Sequence, residues 1–95
     1  MALARVVTFD GVSSERVAEM RREMESQDQP EGLNATEIIV LHDPDAERSV
    51  VILFFENEDD YRQGDAVLNA MPASDTPGRR SSVTKHDVVH RMTSP

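Results

Sequence analysis

Two histidines near the C-terminus have the spacing of a metal-binding helix. His86 and His90 are separated by three residues, and zinc proteases carry two histidines at this spacing with an acidic residue as the base. On a helix the two imidazoles would share one ion, whereas on a strand they would lie about 13 Å apart along one face. The valines around them favour a strand. We therefore predict no metal site, and both histidines become candidate ligand-binding residues on an edge strand.

Two acidic segments resemble functional sites but have simpler explanations. Asp43, Asp45 and Glu47 resemble the start of a calcium-binding loop, but the glycine and the distant closing glutamate of such a loop are missing. The same segment has the composition of a polar turn between two strands. The three carboxylates at 58–60 suit the first turn of a helix, where the helix dipole favours negative charge. Neither segment is predicted to be a site.

Four further residues are candidates for binding a ligand. Tyr61 is the only tyrosine, and it could donate a proton beside a ligand or serve as a core anchor with its hydroxyl at the surface. Arg79 and Arg80 lie in a long connection, 73–81, that is predicted to be flexible. Together with His42 they would form the mouth of a site for an anionic or carbonyl-bearing ligand. In the alternative, both arginines form surface ion pairs with the acidic 43–47 turn, and such pairs contribute little to stability. The sequence indicates no cofactor.

The composition argues against several classes of function. The 95 residues predict a single domain over 1–95, and without cysteine there is no disulfide, thiolate metal site or thiol nucleophile. The formal net charge of -8 argues against binding to nucleic acid or to an anionic membrane, since both need a positive field. The phenylalanines therefore do not predict an RNA-stacking platform. No apolar run is long enough to span a membrane and no signal peptide is evident, so we expect a cytoplasmic protein.

Apolar patterning and helix caps predict six elements. Strands are predicted at 3–9, 36–42, 49–55 and 82–92, in segments rich in β-branched and aromatic residues. One helix is predicted to begin after Ser13 and to end before Pro30. A second begins after Asn57 and ends at Pro72. This is the order of the ferredoxin-like βαββαβ fold, an α+β fold with a four-stranded antiparallel sheet and two helices on one face.

The predicted third strand is apolar on both faces. The run 50–55 has no polar alternation, and the second strand nearly repeats this pattern at 38–41. An antiparallel strand with one wet face should alternate, so both faces of the third strand are predicted to be buried. The two helices can cover one face only. We therefore predict a homodimer in which a second copy covers the other face.

These traits, with the capped second helix after Phe54-Phe55-Glu56-Asn57, resemble the dimeric α/β-barrel superfamily, which includes antibiotic-biosynthesis monooxygenases. The resemblance implies that two sheets face each other and that a small organic ligand lies between sheet and helices. Some members oxidise polycyclic aromatics without a cofactor, and others degrade haem. The resemblance therefore implies a homodimeric small-molecule-binding protein, extending to a cofactor-independent monooxygenase-like enzyme that acts on an apolar organic compound.

A second hypothesis, from a different class, is a non-catalytic oligomerisation or regulatory module. A cavity with convergent polar groups would favour ligand binding, whereas a fully packed gap between helices and sheet would favour the module. Arg5, a charged residue within the first strand, is a further side chain to inspect in such a cavity.

Overall fold

The computed structural model describes residues 2–27, 29–71 and 76–94, which form the predicted βαββαβ order. The strands are β1 (Leu3–Asp10), β2 (Glu37–Asp43), β3 (Arg48–Phe55) and β4 (Arg79–Asp87), and the helices are α1 (Ser14–Ser26) and α2 (Glu58–Asn69). All neighbouring strands are antiparallel, in the order β2-β3-β1-β4. The predicted ferredoxin-like fold is therefore confirmed, and β1 and β3 are its central strands.

Both helices begin where predicted because a side chain caps each N-terminus. Ser13 Oγ accepts a hydrogen bond from a backbone N–H in the first turn of α1, at 3.1 Å. Asn57 Oδ1 does the same for α2, at 2.8 Å. Val12, just before the first cap, is fully buried, and Val17 packs against its cluster as a hydrophobic staple. The helix end predicted at Pro72 lies outside the described residues, and α2 ends at Asn69.

The sheet has two different faces. The helix face is the side on which both helices lie, and β1 contributes Leu3, Arg5, Val7 and Phe9 to it. The open face is the opposite side, which the register defines by Ala4 and Val6 in β1, Ile39 and Leu41 in β2, and Val50, Ile52 and Phe54 in β3. Leu41 is half-exposed and Ile52 is only half-buried in the protomer.

The buried core lies under α2. Leu3, Leu33, Leu53, Phe55 and Tyr61 form one buried cluster between this helix and the sheet. Helix α2 approaches closely at Gly64, where an added Cβ would lie 2.6 Å from a ring carbon of Phe55. By contrast, no residue of α1 is buried. The helix face is therefore tightly covered at α2 and loosely covered at α1.

Strand β4 differs from its predicted span at both ends. It begins at Arg79 instead of residue 82, because Arg79 and Arg80 pair with the end of β1. It ends at Asp87 instead of residue 92, because Asp87 already pairs with the first residue of β1. The last bond to that neighbour runs from Val88 N–H to Ala2 O, at 2.9 Å. A strand needs a partner for its backbone groups, and β1 offers none beyond this point.

The C-terminal tail, residues 88–94, then crosses one end of the open face. The guanidinium of Arg91 lies 4.3 Å from the centroid of the Phe54 ring. The same group forms an ion pair with Glu37 on the edge strand β2, at 2.7 Å. The tail therefore covers the end of the open face that lies near Phe54.

Substituting Gly64 by alanine should destabilise the protein by about 1 kcal/mol. The added Cβ would lie 2.6 Å from the fully buried Phe55 ring, and overpacking of this kind costs about 1–3 kcal/mol, whereas the gain in helix propensity is about 1 kcal/mol. Urea unfolding measures the change in free energy. The control is Gln63→Ala on the exposed side of the same helix, for which we expect a change within about 0.5 kcal/mol. An unchanged or higher midpoint for Gly64→Ala would contradict the packing described above.

Candidate functional site

A cleft of about 700 Å³ lies between α1, the C-terminal half of α2 and the helix face of the sheet. It exists because α1 has a narrow apolar stripe and does not settle onto the strands. Its apolar lining includes Val7, Phe9, Met20, Met24, Val51 and Leu53. The volume lies within the range of small-molecule sites, about 300–1,000 Å³. Methionine side chains are flexible and polarisable, which suits them to contact ligands of varied shape.

Two arginines converge at one wall of this cleft. Arg5 is only 3% exposed, and its Nε donates to Asp65 Oδ1 at 2.8 Å while Nη2 donates to Asn69 Oδ1 at 3.1 Å. The same Asn69 oxygen accepts a hydrogen bond from Arg80 Nη1, at 2.7 Å. Asn69 Nδ2 in turn donates to Asp65 Oδ2 at 3.2 Å, which fixes the orientation of the amide. We call these four residues the arginine cluster.

The α2 side of the cluster follows from helical spacing. Asp65 and Asn69 are four residues apart, so they lie on the same face of α2, one turn from each other. Arg5 lies on the helix face of β1, between the buried Leu3 and Val7. A charge in that position is tolerated only when it is paired, and Asp65 supplies the pair.

The β4 side of the cluster depends on a β-bulge. Thr8 pairs with Ser82 but Phe9 pairs with Arg80, so Ser81 is the extra residue. Without the bulge, Ser81 would lie opposite Phe9. The extra residue places Arg80 beside Phe9 at the cleft, and it moves Arg79 next to Asp10. Two adjacent arginines therefore have different surroundings.

A third arginine lies near the start of α1. Arg16 lines the cleft, and its Nη1 contacts Glu19 at 3.2 Å and Glu23 at 3.9 Å. Its Nη2 also donates to the backbone oxygen of Thr76, at 3.5 Å. Two glutamates of its own helix therefore more than neutralise the charge of this guanidinium, whereas Arg80 has no carboxylate partner among the described residues.

Arg80 is the one residue among the six sequence candidates that lines the cleft in the described part of the chain. Tyr61 is a core anchor instead: its ring meets Phe55 edge to face at 5.5 Å, and Lys85 Nζ lies 5.0 Å from its centroid. Burial raises the pKa of Tyr61, and the nearby Asp65 carboxylate adds to the shift. His42 lies at the end of β2 with Nε2 2.9 Å from the backbone oxygen of Val12.

The structure separates the two histidines of the zinc-like motif. His86 lies on β4, where it is exposed and contacts Thr84 Oγ1 at 2.8 Å. His90 lies beyond the end of β4, in the exposed tail, so its predicted place on the strand is wrong. Within the described ranges, no group of three or more histidine, aspartate or glutamate side chains is arranged to hold a metal ion.

Among the described residues, the connections that lead out of β1, into β3 and into β4 lie close together at one end of the sheet. Val12 N–H donates to Glu47 O at 2.7 Å, and Asp10 is in register with both Arg48 and Arg79. Of the connection predicted at 73–81, residues 79–81 belong to β4, and 73–75 lie outside the described residues.

Among the described residues, neither Arg79 nor Arg80 forms the ion pair with the acidic 43–47 turn that the alternative predicted. Asp43 instead accepts hydrogen bonds from two N–H groups of its own turn, at 3.1 and 3.2 Å. Arg48 forms the ion pair with Asp10, at 3.0 Å, and its hydrogen bond lowers the pKa of that carboxyl. Arg80 forms no ion pair with any described residue. It is therefore free of the turn that the alternative assigned to it.

Sequence reasoning missed Asp65 and Asn69, and it treated Arg5 only as a side chain to inspect. A usable signal was present, because a charged residue in an apolar strand requires a partner and two polar residues lie one turn apart on α2. Their hydrogen bonds with Arg5 span 60 and 64 positions of the chain. Local patterns do not show it.

Comparisons with known proteins give no family for this chain. No protein-family model matches the sequence, and no significant match is found among curated proteins or solved structures. Among the described residues, no helix is both long and apolar enough to cross a membrane.

Tyr61 should ionise at a higher pH in the folded protein than the ordinary value of 10.0. The folded state favours the neutral form of Tyr61. The free energy of unfolding is therefore unaffected by this residue below pH 10, and it falls as the pH rises from there towards the folded-state pKa. Absorbance of tyrosinate reports this directly, because the chain has one tyrosine and no tryptophan. The urea-unfolded chain is the reference. A folded-state midpoint at or below the unfolded one would contradict the burial of this residue.

Proposed function

We propose that the protein is a homodimer that binds a mostly apolar small organic molecule in the cleft between α1 and the sheet. The cleft carries this proposal: both helices lie on the helix face, yet the described residues leave a cleft of about 700 Å³ beneath α1. Apolar side chains form most of its wall, and the arginine cluster supplies convergent polar groups. A fully packed gap between the helices and the sheet would instead have favoured the non-catalytic module.

The place of the cleft agrees with the fold-level resemblance to the dimeric α/β-barrel superfamily, in which ligands lie between sheet and helices. The enzymatic form of the proposal is a cofactor-independent, monooxygenase-like oxidation of the bound compound. The described lining offers arginines, a glutamate, two glutamines, a threonine and apolar side chains, which are groups that bind and orient a ligand. Binding is therefore the step that these residues support, and it is tested first.

The dimer is proposed from the open face. Its centre is formed by Ile39, Leu41, Val50 and Ile52, which no helix covers. Large exposed apolar patches are uncommon on monomers and are typical of interaction sites. Opposite charges lie at both ends of the face, Asp10 with Arg48 and Glu37 with Arg91. A two-fold axis would bring this self-complementary surface against its own copy.

Filling the cleft should weaken the binding of a neutral apolar probe. Nile red should bind with increased fluorescence, and Met20→Trp should weaken its affinity by at least about tenfold, since the larger ring occupies the space beneath α1. The control is Ala18→Trp, which places the same ring on the exposed side of α1 and should leave affinity unchanged. If the wild-type protein does not bind the probe, or both variants weaken it equally, the cleft is not the site.

A charge at Ile52 should dissociate the dimer. Light scattering of the wild-type protein should give about twice the chain mass of 10.6 kDa. Ile52→Glu should give the mass of one chain with retained helical content, because the carboxylate is solvated in the monomer but buried without a partner in the dimer. Leu53→Glu should instead unfold the chain, because Leu53 is buried under α2. A monomeric wild-type protein would overturn the dimer.

A further inference from the structure

The charges of the arginine cluster do not balance among the described residues. Arg5 and Arg80 contribute two positive charges, whereas Asp65 is the one carboxylate bonded to the cluster. Both guanidinium groups are held against a single oxygen, that of Asn69, so they lie side by side despite their like charge. In a chain with a formal net charge of -8, this local excess of positive charge is opposite to the surface as a whole.

Donor groups of the cluster also remain available. A guanidinium has five N–H donors, and Arg5 uses Nε and Nη2 in its two hydrogen bonds. Its Nη1 has no acceptor among the described residues. Every fully buried polar side-chain atom in these ranges has a partner, so Nη1 is not fully buried, and Arg5 lines the cleft. Arg80 lines the same cleft and uses only Nη1.

We infer that Arg5 and Arg80 bind the anionic group of the ligand, so that the cleft takes a mostly apolar organic molecule bearing one carboxylate. The inference rests on the proposed function and specifies the class of ligand. A carboxylate would supply the missing negative charge, and its two oxygens match the paired donors of a guanidinium. The site is partly withdrawn from water, where such charge-assisted hydrogen bonds are strongest. The apolar remainder of the ligand would lie against Met20, Val51 and Phe9.

Arg80 and Arg79 form a matched pair for the test. They are adjacent and equally charged, but the bulge places only Arg80 at the cleft. Arg80→Gln and Arg79→Gln remove the same charge from the same strand. Arg80 is exposed and forms no ion pair with a described residue, so both variants should fold. Arg5→Lys is a second variant, which keeps the buried charge paired with Asp65 but loses the forked donors.

Displacement of Nile red by decanoate and by decanol measures the preference for an anion over a neutral molecule of similar chain length. The wild-type protein should prefer decanoate by about tenfold or more, and added salt should reduce that preference. Arg80→Gln and Arg5→Lys should each lower decanoate affinity several-fold and leave decanol affinity unchanged. Arg79→Gln should leave both affinities unchanged.

The failures of the two proposals are distinguishable. Binding of neither Nile red nor decanol by the wild-type protein would overturn the proposed function itself. Binding of decanol and decanoate with equal affinity would leave the cleft as a binding site but overturn the carboxylate subsite. Equal losses of decanoate affinity in Arg79→Gln and Arg80→Gln would also overturn it, since the effect would then be one of overall charge.

Discussion

The close approach of α2 to the centre of the sheet is the constraint on which the rest of the structure depends. Gly64 permits it, because any larger residue would overlap the Phe55 ring that forms the middle of the core. The approach also brings Asp65 and Asn69 to the buried side chain of Arg5. Without them, Arg5 would be an unpaired charge among apolar strands, which is among the costliest arrangements a protein can contain. The position of one glycine therefore determines both the core and the polar wall of the cleft.

The cleft results from an imbalance between the two helices. Helix α2 contributes Tyr61, Gly64 and Leu68 to close packing, whereas α1 offers a narrow stripe of valine and methionine with charged residues on both sides. One sheet face thus has a tight half and a loose half. The loose half is the one that contains the available donors of Arg5 and Arg80. Weak packing at α1 and strong polar pairing at α2 together give the site its amphipathic character.

The open face is left partly exposed because both helices lie on the other side of the sheet. Two short helices cannot cover both sides of a four-stranded sheet. The second side is therefore open to the tail and to any molecule that packs on it. Arg91 covers the Phe54 end by stacking on the ring and pairing with Glu37. The central aliphatic residues, Ile39 and Ile52, have no such cover from the tail, and this is why a second copy is the proposed occupant.

Most of the fold was predictable because its signals are local. The caps at Ser13 and Asn57 and the apolar run of β3 each depend on a few neighbouring residues. The element order then follows, and with it the strand order through the handedness of the crossovers. Of the six candidate site residues, Arg80 lines the cleft, but it lies on a strand and not on the flexible connection where it was predicted.

The rest depended on pairing between distant segments. The ends of β4 are set by where β1 stops, and the bulge at Ser81 separates Arg80 from Arg79; neither is visible within the β4 segment itself. The hydrogen bonds from Arg5 to Asp65 and Asn69 likewise connect the first strand to the second helix. The sequence by itself thus determined the elements and their order, because capping and periodicity act over one or two turns. Only the tertiary structure decided which charges meet, because that is set by register and by how closely a helix can approach a sheet.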